Sequence, residues 1–139
     1  MASLIFNSAL RDEAIGSIDF DTDTFKVMLV TSAYTPNKDT HTKRSDVTNE
    51  VSGTGYTAGG AASAVSVAAV DTTNDRVVIT FGAVSWPGAT ITARGAVYYK
   101  SRGGASSADE LIAYDDFGAD IVATAGTFSL AASTITKQN

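Results

Sequence analysis

Hydrophobic and polar residues alternate along much of the chain with the two-residue period of β-strands. Residues 76–81 show this most clearly, because Val77, Ile79 and Phe81 would face one side of a sheet. Residues 25–31 are apolar at nearly every position, which predicts a central strand covered on both faces. The pattern predicts strands over Phe25–Thr31, Ser63–Val70, Arg76–Phe81, Ile91–Lys100, Leu111–Phe117 and Thr127–Ala132.

Clusters of turn-forming residues separate these segments. Residues 71–75 predict a hairpin between the two strands that flank them, and the loop Ser101–Ala108 predicts another hairpin. Trp86-Pro87-Gly88 is expected to break the chain. In the strand that follows this break, the residues expected on the buried face are Ile91, Ala93, Val97 and Tyr99, and those expected on the opposite face are Thr92, Arg94, Tyr98 and Lys100.

One segment has helical spacing instead. A helix is predicted over residues 3–15, with Ser3 capping its start and Gly16 taking the left-handed conformation after its end. Its buried face would comprise Phe6, Ala9, Leu10 and Ala14. No further helices alternate with the strands, which disfavours a doubly wound α/β fold. The sequence predicts a single domain over residues 1–139 that is mainly β: an antiparallel β-sandwich or barrel-like fold with one short N-terminal helix.

Residues 34–62 follow neither period. A turn at Pro36-Asn37 and the glycine-rich run Gly53–Gly60 lie between segments that have the pattern of strands. Loops of this length are uncommon in compact domains and are usually either functional or disordered. We therefore predict a long ordered loop that presents a surface, with glycines that permit positive φ angles and close approach of the chain.

Composition narrows the classes of function. The chain has 15 acidic and 10 basic residues, a net charge of −5, which disfavours nucleic acid as a partner because phosphate binding needs a basic field. Cysteine is absent, which excludes disulfides and thiolate metal sites. No apolar run approaches the ~20 residues of a membrane span, so we expect no membrane partner. The first residues also lack the pattern of a secretory signal.

The candidate catalytic residues do not form a set. His41 is the only histidine, its neighbours are polar, and no Gly-x-Ser-x-Gly elbow supplies a nucleophile. Asp115 and Asp116 are adjacent on a predicted strand, so their side chains would point to opposite faces and could not act as a paired acid and base. We expect a protein that is not an enzyme.

The candidate ligand sites are also incomplete. Asp19, Asp21 and Asp23 resemble the start of a calcium loop, but Thr and Val stand where an EF-hand needs Gly and Glu. Residues 53–60 are rich in glycine, yet they lack the Lys-Ser/Thr ending of a phosphate-binding loop and the flanking strand and helix of a dinucleotide site. We expect neither a metal nor a cofactor.

Three segments together form a recognisable pattern: EVSGTGYTAGG at residues 50–60, ITARGAVYYK at residues 91–100 and LIAYDDFG at residues 111–118. FKVMLV at residues 25–30, after a short helix, belongs to the same pattern. Over most of its length the chain resembles a group of small proteins encoded among the virion structural genes of tailed bacteriophages and prophages. The resemblance implies a virion structural protein without catalytic residues, and within that group a capsid decoration or cement protein fits best.

The resemblance also implies a location and partners. The protein would lie on the outer capsid surface of the virion, and in the host cytoplasm during assembly. Its partners would be the major capsid protein and neighbouring copies of itself, in a homo-oligomer such as a trimer. The N-terminal residues and residues 36–60 are predicted to carry most contacts, by wrapping or strand addition. In the loop, the candidate interface residues are Pro36, Asn37, His41, Lys43, Arg44, Val47 and Tyr56.

Two alternative functions stay open. A phage tail component, such as a tube, terminator or fibre-associated subunit, would assemble into rings, and its long loop would pair with a neighbouring sheet. A carbohydrate-binding module for host adhesion would need an exposed aromatic ring beside Asp or Asn, for which Trp86 near Asp115 or Asp116 is the candidate.

Overall fold

The computed structural model of the protein describes residues 2–139. The fold is mainly β, with 49% of residues in strands and 10% in helices. Short 3-10 turns lie at Arg44–Asp46 and Ser106–Ala108. In chain order the other elements are β1 (Leu4–Ile5), α1 (Asn7–Ala14), β2 (Phe25–Val30), β3 (Ala61–Ala62), β4 (Val65–Val67), β5 (Arg76–Phe81), β6 (Val84–Lys100), β7 (Leu111–Leu130) and β8 (Ser133–Gln138).

The strands form two antiparallel sheets. The larger sheet has the order β1-β7-β6-β2-β3, and the smaller has the order β4-β5-β8. The chain passes from one sheet to the other at Ser63, whose N–H donates to the Phe25 carbonyl oxygen of β2 at 3.0 Å while its hydroxyl donates to the Gly82 carbonyl oxygen after β5. The predicted fold class, mainly β and antiparallel with a short N-terminal helix, is confirmed.

The main core lies between the two sheets. Val27 and Leu29 of β2 meet Ile79 and Phe81 of β5 in this core. The Phe81 ring also packs against the Tyr98 ring of β6, with 4.7 Å between the ring centroids. The alternation predicted for residues 76–81 therefore corresponds to burial against the larger sheet.

A second core covers the outer face of the larger sheet. Met28 and Val30 of β2 belong to it, together with Phe6 before α1 and Tyr34 after β2. All of these side chains are buried. The nearly continuous apolar run in β2 thus has a simple cause, since each face of the strand contacts a different core. The prediction of a central strand covered on both faces is confirmed.

The break expected at Trp86-Pro87-Gly88 is wrong, because β6 runs through these residues. The pairing of β6 with β7 shifts register between Trp86 and Ala89. The proline, which has no N–H to donate, therefore falls in an irregularity of the ladder, where a strand can accept it.

Several predicted strand limits are also wrong. The predicted segments Leu111–Phe117 and Thr127–Ala132 belong to one long strand, β7, whose register shifts opposite residues 93–95. The prediction Ser63–Val70 is shortened to β4. The sequence prediction omits β8, although Ile135 in that strand is buried in the main core.

Tyr98 was expected on the face of its strand opposite the buried one, and this prediction is wrong. Its side chain is 0% exposed, because β6 is a central strand with a core on each face. Tyr99 of the same strand is buried in the second core. Two adjacent tyrosines can both be buried only where both faces of the sheet are covered.

The predicted helix limits are wrong at the N-terminal end. Leu4 and Ile5 instead form β1, which pairs with Tyr114 and Ala113 of β7. Pairing at the sheet edge satisfies these backbone groups and overrides the helical spacing.

The helix α1 starts after Phe6 without a side-chain cap. The Ser3 hydroxyl instead accepts a hydrogen bond from Asp116 N–H at 3.0 Å. Leu10, expected on the buried face, is 53% exposed. Gly16 has a φ of +79°, as predicted for the residue after the helix.

Among the glycines of the long loop, Gly60 leaves the least room for a side chain, and it has a φ of +76°. A Cβ atom there would overlap the Val27 carbonyl oxygen of β2, so we expect Gly60→Ala to lower the free energy of unfolding by roughly 3 kcal/mol. Gly103→Ala is the matched control, because Gly103 has a φ of +78° and open space around it. That variant should lose about 1 kcal/mol. Denaturant unfolding measures both, and equal losses would contradict the steric argument.

Candidate functional site

The long loop (residues 34–62) is ordered and is held to the larger sheet along its length. Arg44 N–H donates to the Asp109 carbonyl oxygen at 2.9 Å, which joins the loop to the start of β7. Val51 N–H donates to the Leu29 carbonyl oxygen at 2.9 Å, which joins it to β2. The first half of the loop packs on the second core through Val47, and the second half contributes the buried Val51 to the main core.

A buried ion pair fixes the middle of the loop. Arg44 Nε donates to Asp109 Oδ2 at 2.7 Å, and the Asp109 side chain is only 2% exposed. The other carboxylate oxygen of Asp109 accepts from Arg102 N–H at 2.8 Å. The Arg44 guanidinium also lies 5.1 Å from the centroid of the Tyr99 ring, a cation–π contact. Both charges are therefore compensated within the fold.

Glu110 forms the second part of this charged cluster. Its carboxylate is buried and accepts from Arg102 Nε at 2.9 Å and Nη2 at 2.5 Å, while Lys43 Nζ lies 3.6 Å away. Burial raises the pKa of Glu110, but the hydrogen bonds from Arg102 and the nearby positive charges outweigh it and leave the pKa below 4.5. Glu110 therefore stays ionised and holds Lys43 and Arg102 together.

A second cluster fixes the end of the loop. The Tyr56 hydroxyl donates to Glu50 Oε1 at 2.8 Å and accepts from Leu29 N–H at 3.0 Å. Gly59 N–H donates to the same Glu50 oxygen at 2.6 Å, and the Tyr99 hydroxyl donates to the Gly59 carbonyl oxygen at 2.5 Å. Burial raises the pKa of Tyr56 and raises the pKa of Tyr99 to about 12, so both phenols stay protonated as donors.

The start of the loop is organised around His41. Its Nδ1 lies 3.0 Å from the Tyr34 hydroxyl and 3.3 Å from Asn37 N–H, which donates to it, and the Tyr34 and His41 rings stack. In the next turn, Asp46 Oδ2 accepts from the N–H groups of Thr42 and Lys43. These backbone hydrogen bonds lower the pKa of Asp46 below 3.8. The hydrogen bonds to the Asp46 carboxylate therefore hold the backbone of residues 42–46 in this turn.

The candidate interface residues fall into two sets. Pro36, Asn37 and His41 lie in the more accessible start of the loop, where Asn37 is exposed. The others have partners within the fold, since Lys43 and Arg44 face Glu110 and Asp109, Val47 packs on the second core, and Tyr56 bonds Glu50. Their role at an interface stays a prediction.

Sequence reasoning missed the acidic partners Asp109 and Glu110. The available signal was an adjacent acidic pair that complements the basic pair Lys43-Arg44. One sequence alone does not show which of several charged pairs meet.

The aspartates singled out in the sequence satisfy turns and ion pairs. Asp19 N–H donates to Asp23 Oδ2 at 2.8 Å, and Asp21 N–H donates to Asp19 Oδ1 at 2.9 Å. Lys100 Nζ forms an ion pair with Asp23 at 2.8 Å. In the part of the chain that the structure describes, no group of three or more His, Asp or Glu side chains is arranged to hold a metal ion.

The geometry required for carbohydrate binding at Trp86 is not present. The Trp86 side chain is 5% exposed and packs between Tyr56 and Phe128, with ring centroids 5.9 and 6.0 Å away. Asp116 is paired with Arg94 Nε at 3.0 Å, and Asp115 accepts a hydrogen bond from the N–H of the N-terminal Ser3. A sugar therefore has no exposed face of Trp86 on which to stack.

Large apolar side chains are exposed in three places. They lie in or directly after α1, in or shortly after β4, and in β7. The residues are Leu10, Ile15, Val67, Val70, Ile121 and Val122.

Between residues 2 and 139, none of the helices has the length and apolar character needed to cross a membrane.

No family model matches the chain, and no curated protein or solved structure matches it either.

Removal of the Asp109 charge should destabilise the fold strongly. Asp109→Asn leaves the partly buried Arg44 guanidinium without its charged partner. We therefore expect the free energy of unfolding to fall by about 3 kcal/mol. The matched control is Asp116→Asn, because Asp116 pairs with Arg94 at a far more exposed position. That variant should lose at most about 1 kcal/mol. Denaturant titration compares them, and a mild effect at Asp109 would show that the ion pair does not hold the loop.

The protein should also lose stability in acid. The pKa values of Glu110 and Asp46 are lowered in the folded state from 4.5 and 3.8, so the unfolded chain binds protons more readily. Their stabilisation is present above these values and is lost as the pH falls below them. Unfolding midpoints measured from neutral pH to about pH 3 should fall, and should fall less steeply for Glu110→Gln. An identical pH dependence in the two proteins would rule out a contribution from Glu110.

Proposed function

We propose that the protein is a bacteriophage virion structural protein that decorates the outer surface of the capsid and stabilises the lattice through contacts with the major capsid protein and with neighbouring copies of itself. The resemblance of residues 25–30, 50–60, 91–100 and 111–118 to small virion proteins supports this proposal. The protein acts by binding and not by catalysis.

One observation carries the proposal: the start of the long loop and the N-terminal segment meet at one exposed surface. Asn7 N–H donates to the Lys38 carbonyl oxygen at 3.0 Å, and the Asn7 side-chain amide donates to Asp39 Oδ1 at 2.6 Å. These were the two segments expected to carry the capsid contacts. We call this the loop-tip surface; its exposed residues are Asn7, Thr35, Asn37, Lys38, Asp39 and Thr40.

The loop-tip surface is held in one conformation by the contacts beneath it. Asn37 Oδ1 accepts from Asp39 N–H at 3.0 Å and from Thr40 N–H at 3.2 Å, and the adjacent residues are anchored by the Arg44–Asp109 ion pair. A preorganised surface loses little conformational entropy when it binds. Each copy can then bind modestly, since repetition over a symmetric lattice multiplies weak contacts through avidity.

The contact chemistry of this surface is polar. It contains a lysine, an aspartate, asparagines and threonines, and it has few apolar side chains. Such a surface resembles the polar, solvent-accessible rim of an interface between independently folded proteins. This suits a protein that is added to an already folded capsid.

Purified protein mixed with capsids that lack it should produce regular extra density on the lattice in cryo-electron microscopy, together with a higher temperature of capsid disruption. Thr40→Arg places a bulky charged side chain on the loop-tip surface and should reduce occupancy at least about tenfold. Thr72→Arg is the control, because Thr72 is exposed in the turn between β4 and β5. It should decorate like the unmodified protein.

Other outcomes of this experiment would redirect the assignment. Bare capsids with rings or tubes of the protein alone would favour a tail component. Equal occupancy of the two variants would keep the decoration role and remove the loop-tip surface from it. The burial of Trp86 gives the carbohydrate-binding alternative no support from the geometry.

A further inference from the structure

One edge of the smaller sheet is open. β4 is the first strand in the order β4-β5-β8 and pairs only with β5. The Ala64 carbonyl oxygen accepts from Gly82 N–H at 2.7 Å, and Ala68 N–H donates to the Val78 carbonyl oxygen at 2.9 Å. Successive residues of an antiparallel strand alternate between bonding their partner and pointing away from it. Among residues 65–67, which lie between these two contacts, the backbone groups of some residues point toward β5 and those of the others, the outward set, point away from β5.

Val65 and Val67 belong to the outward set. Their N–H and C=O groups point away from β5, and among residues 2–139 these groups have no hydrogen-bond partner. The surrounding residues are open to solvent, and the Val67 side chain is 44% exposed. An unpaired strand edge of this kind is a ready template for another strand.

Neither charge nor proline blocks this edge, although β4 is short, with three residues. Edge strands are often blocked by charged side chains, especially lysine, or by proline. No charged residue and no proline occurs between Glu50 and Asp71, a stretch that contains the whole of β4. At the opposite edge of the same sheet, Ala2 N–H donates to the Thr134 carbonyl oxygen of β8 at 2.9 Å, and β8 carries the charged Lys137. The uncharged edge at β4 thus differs from the other edge of its own sheet.

We propose that this edge pairs with β4 of a second copy of the chain, antiparallel and around a two-fold axis at Ser66. Val65 of one copy then lies opposite Val67 of the other, and the outward groups form about four backbone hydrogen bonds. The smaller sheets of the two copies become one continuous sheet. Val67 of each copy also covers the half-buried Val65 side chain of its partner, a favourable pair of β-branched residues.

The lack of charge along β4 permits a second copy as the occupant of this edge. Each chain carries a net charge of −5, which disfavours the association of two copies at charged surfaces. The β4 edge adds nothing to this repulsion, because residues 51–70 carry no charge. Identical antiparallel strands are also self-complementary, so the pairing needs no second binding surface.

The inference identifies the copy-to-copy contact that the proposed function requires, and it can be tested without capsids. Sedimentation or light scattering should show purified protein with twice the chain mass of 14.3 kDa. Val67→Lys should raise the dimer dissociation constant at least about tenfold, because a lysine at the pairing edge blocks strand addition. The matched control is Val122→Lys, since Val122 is 65% exposed on β7 and the charge change is the same. It should stay dimeric.

Hydrogen exchange on the unmodified protein gives an independent measurement if Val67→Lys does not fold. The amides of Val65 and Val67 should be protected in the dimer and should lose protection on dilution. A single-chain mass at every concentration, a mass of three chains, or a dimer that Val67→Lys leaves intact would each overturn the proposed pairing. Decoration of capsids by a protein that is monomeric in solution would overturn the pairing alone, whereas a dimer that leaves capsids bare would overturn the proposed function alone.

Discussion

The need to cover both faces of the central strands β2 and β6 shapes the rest of the structure. Val27 and Leu29 face the smaller sheet, while Met28 and Val30 face the opposite side and would meet water if nothing lay over them. Burying apolar surface is the dominant favourable term in folding, at roughly 25 cal/mol per Å². The smaller sheet covers one face, and the N-terminal segment and the long loop cover the other. The long loop is ordered because it forms one wall of a core.

A loop that packs on a sheet without regular structure must satisfy its polar groups in another way. The structure does this with a small set of acidic side chains. Asp109 and Glu110 compensate Arg44, Lys43 and Arg102, while Glu50 accepts hydrogen bonds from the end of the loop. These buried charges are specific in geometry, since each must meet its partner to offset its desolvation. The exposed loop tip is held by its own hydrogen bonds, between Asn37 and residues 39–40 and between Asn7 and residues 38–39.

Sequence patterns predicted the elements whose burial follows a simple period. Residues 76–81 and the doubly covered strand at residues 25–30 were recognisable because alternating or continuous apolar residues indicate one or two buried faces. Patterns failed where a longer-range contact overrides local preference. Leu4 and Ile5 have helical spacing but pair with β7, Pro87 sits in a register shift of β6, and β8 becomes visible only as a partner of β5.

The sequence by itself determined the fold class, the approximate place of most strands, the position of Gly16 after the helix and the existence of a long glycine-rich loop. These follow from local spacing and from the backbone freedom of glycine. Only the tertiary structure decided that the basic pair Lys43-Arg44 meets Asp109 and Glu110, that the loop tip meets Asn7, and that β4 lies at an open edge. Each of these depends on contacts between residues far apart in the chain, and such contacts are set by how the sheets assemble and leave no period in the sequence.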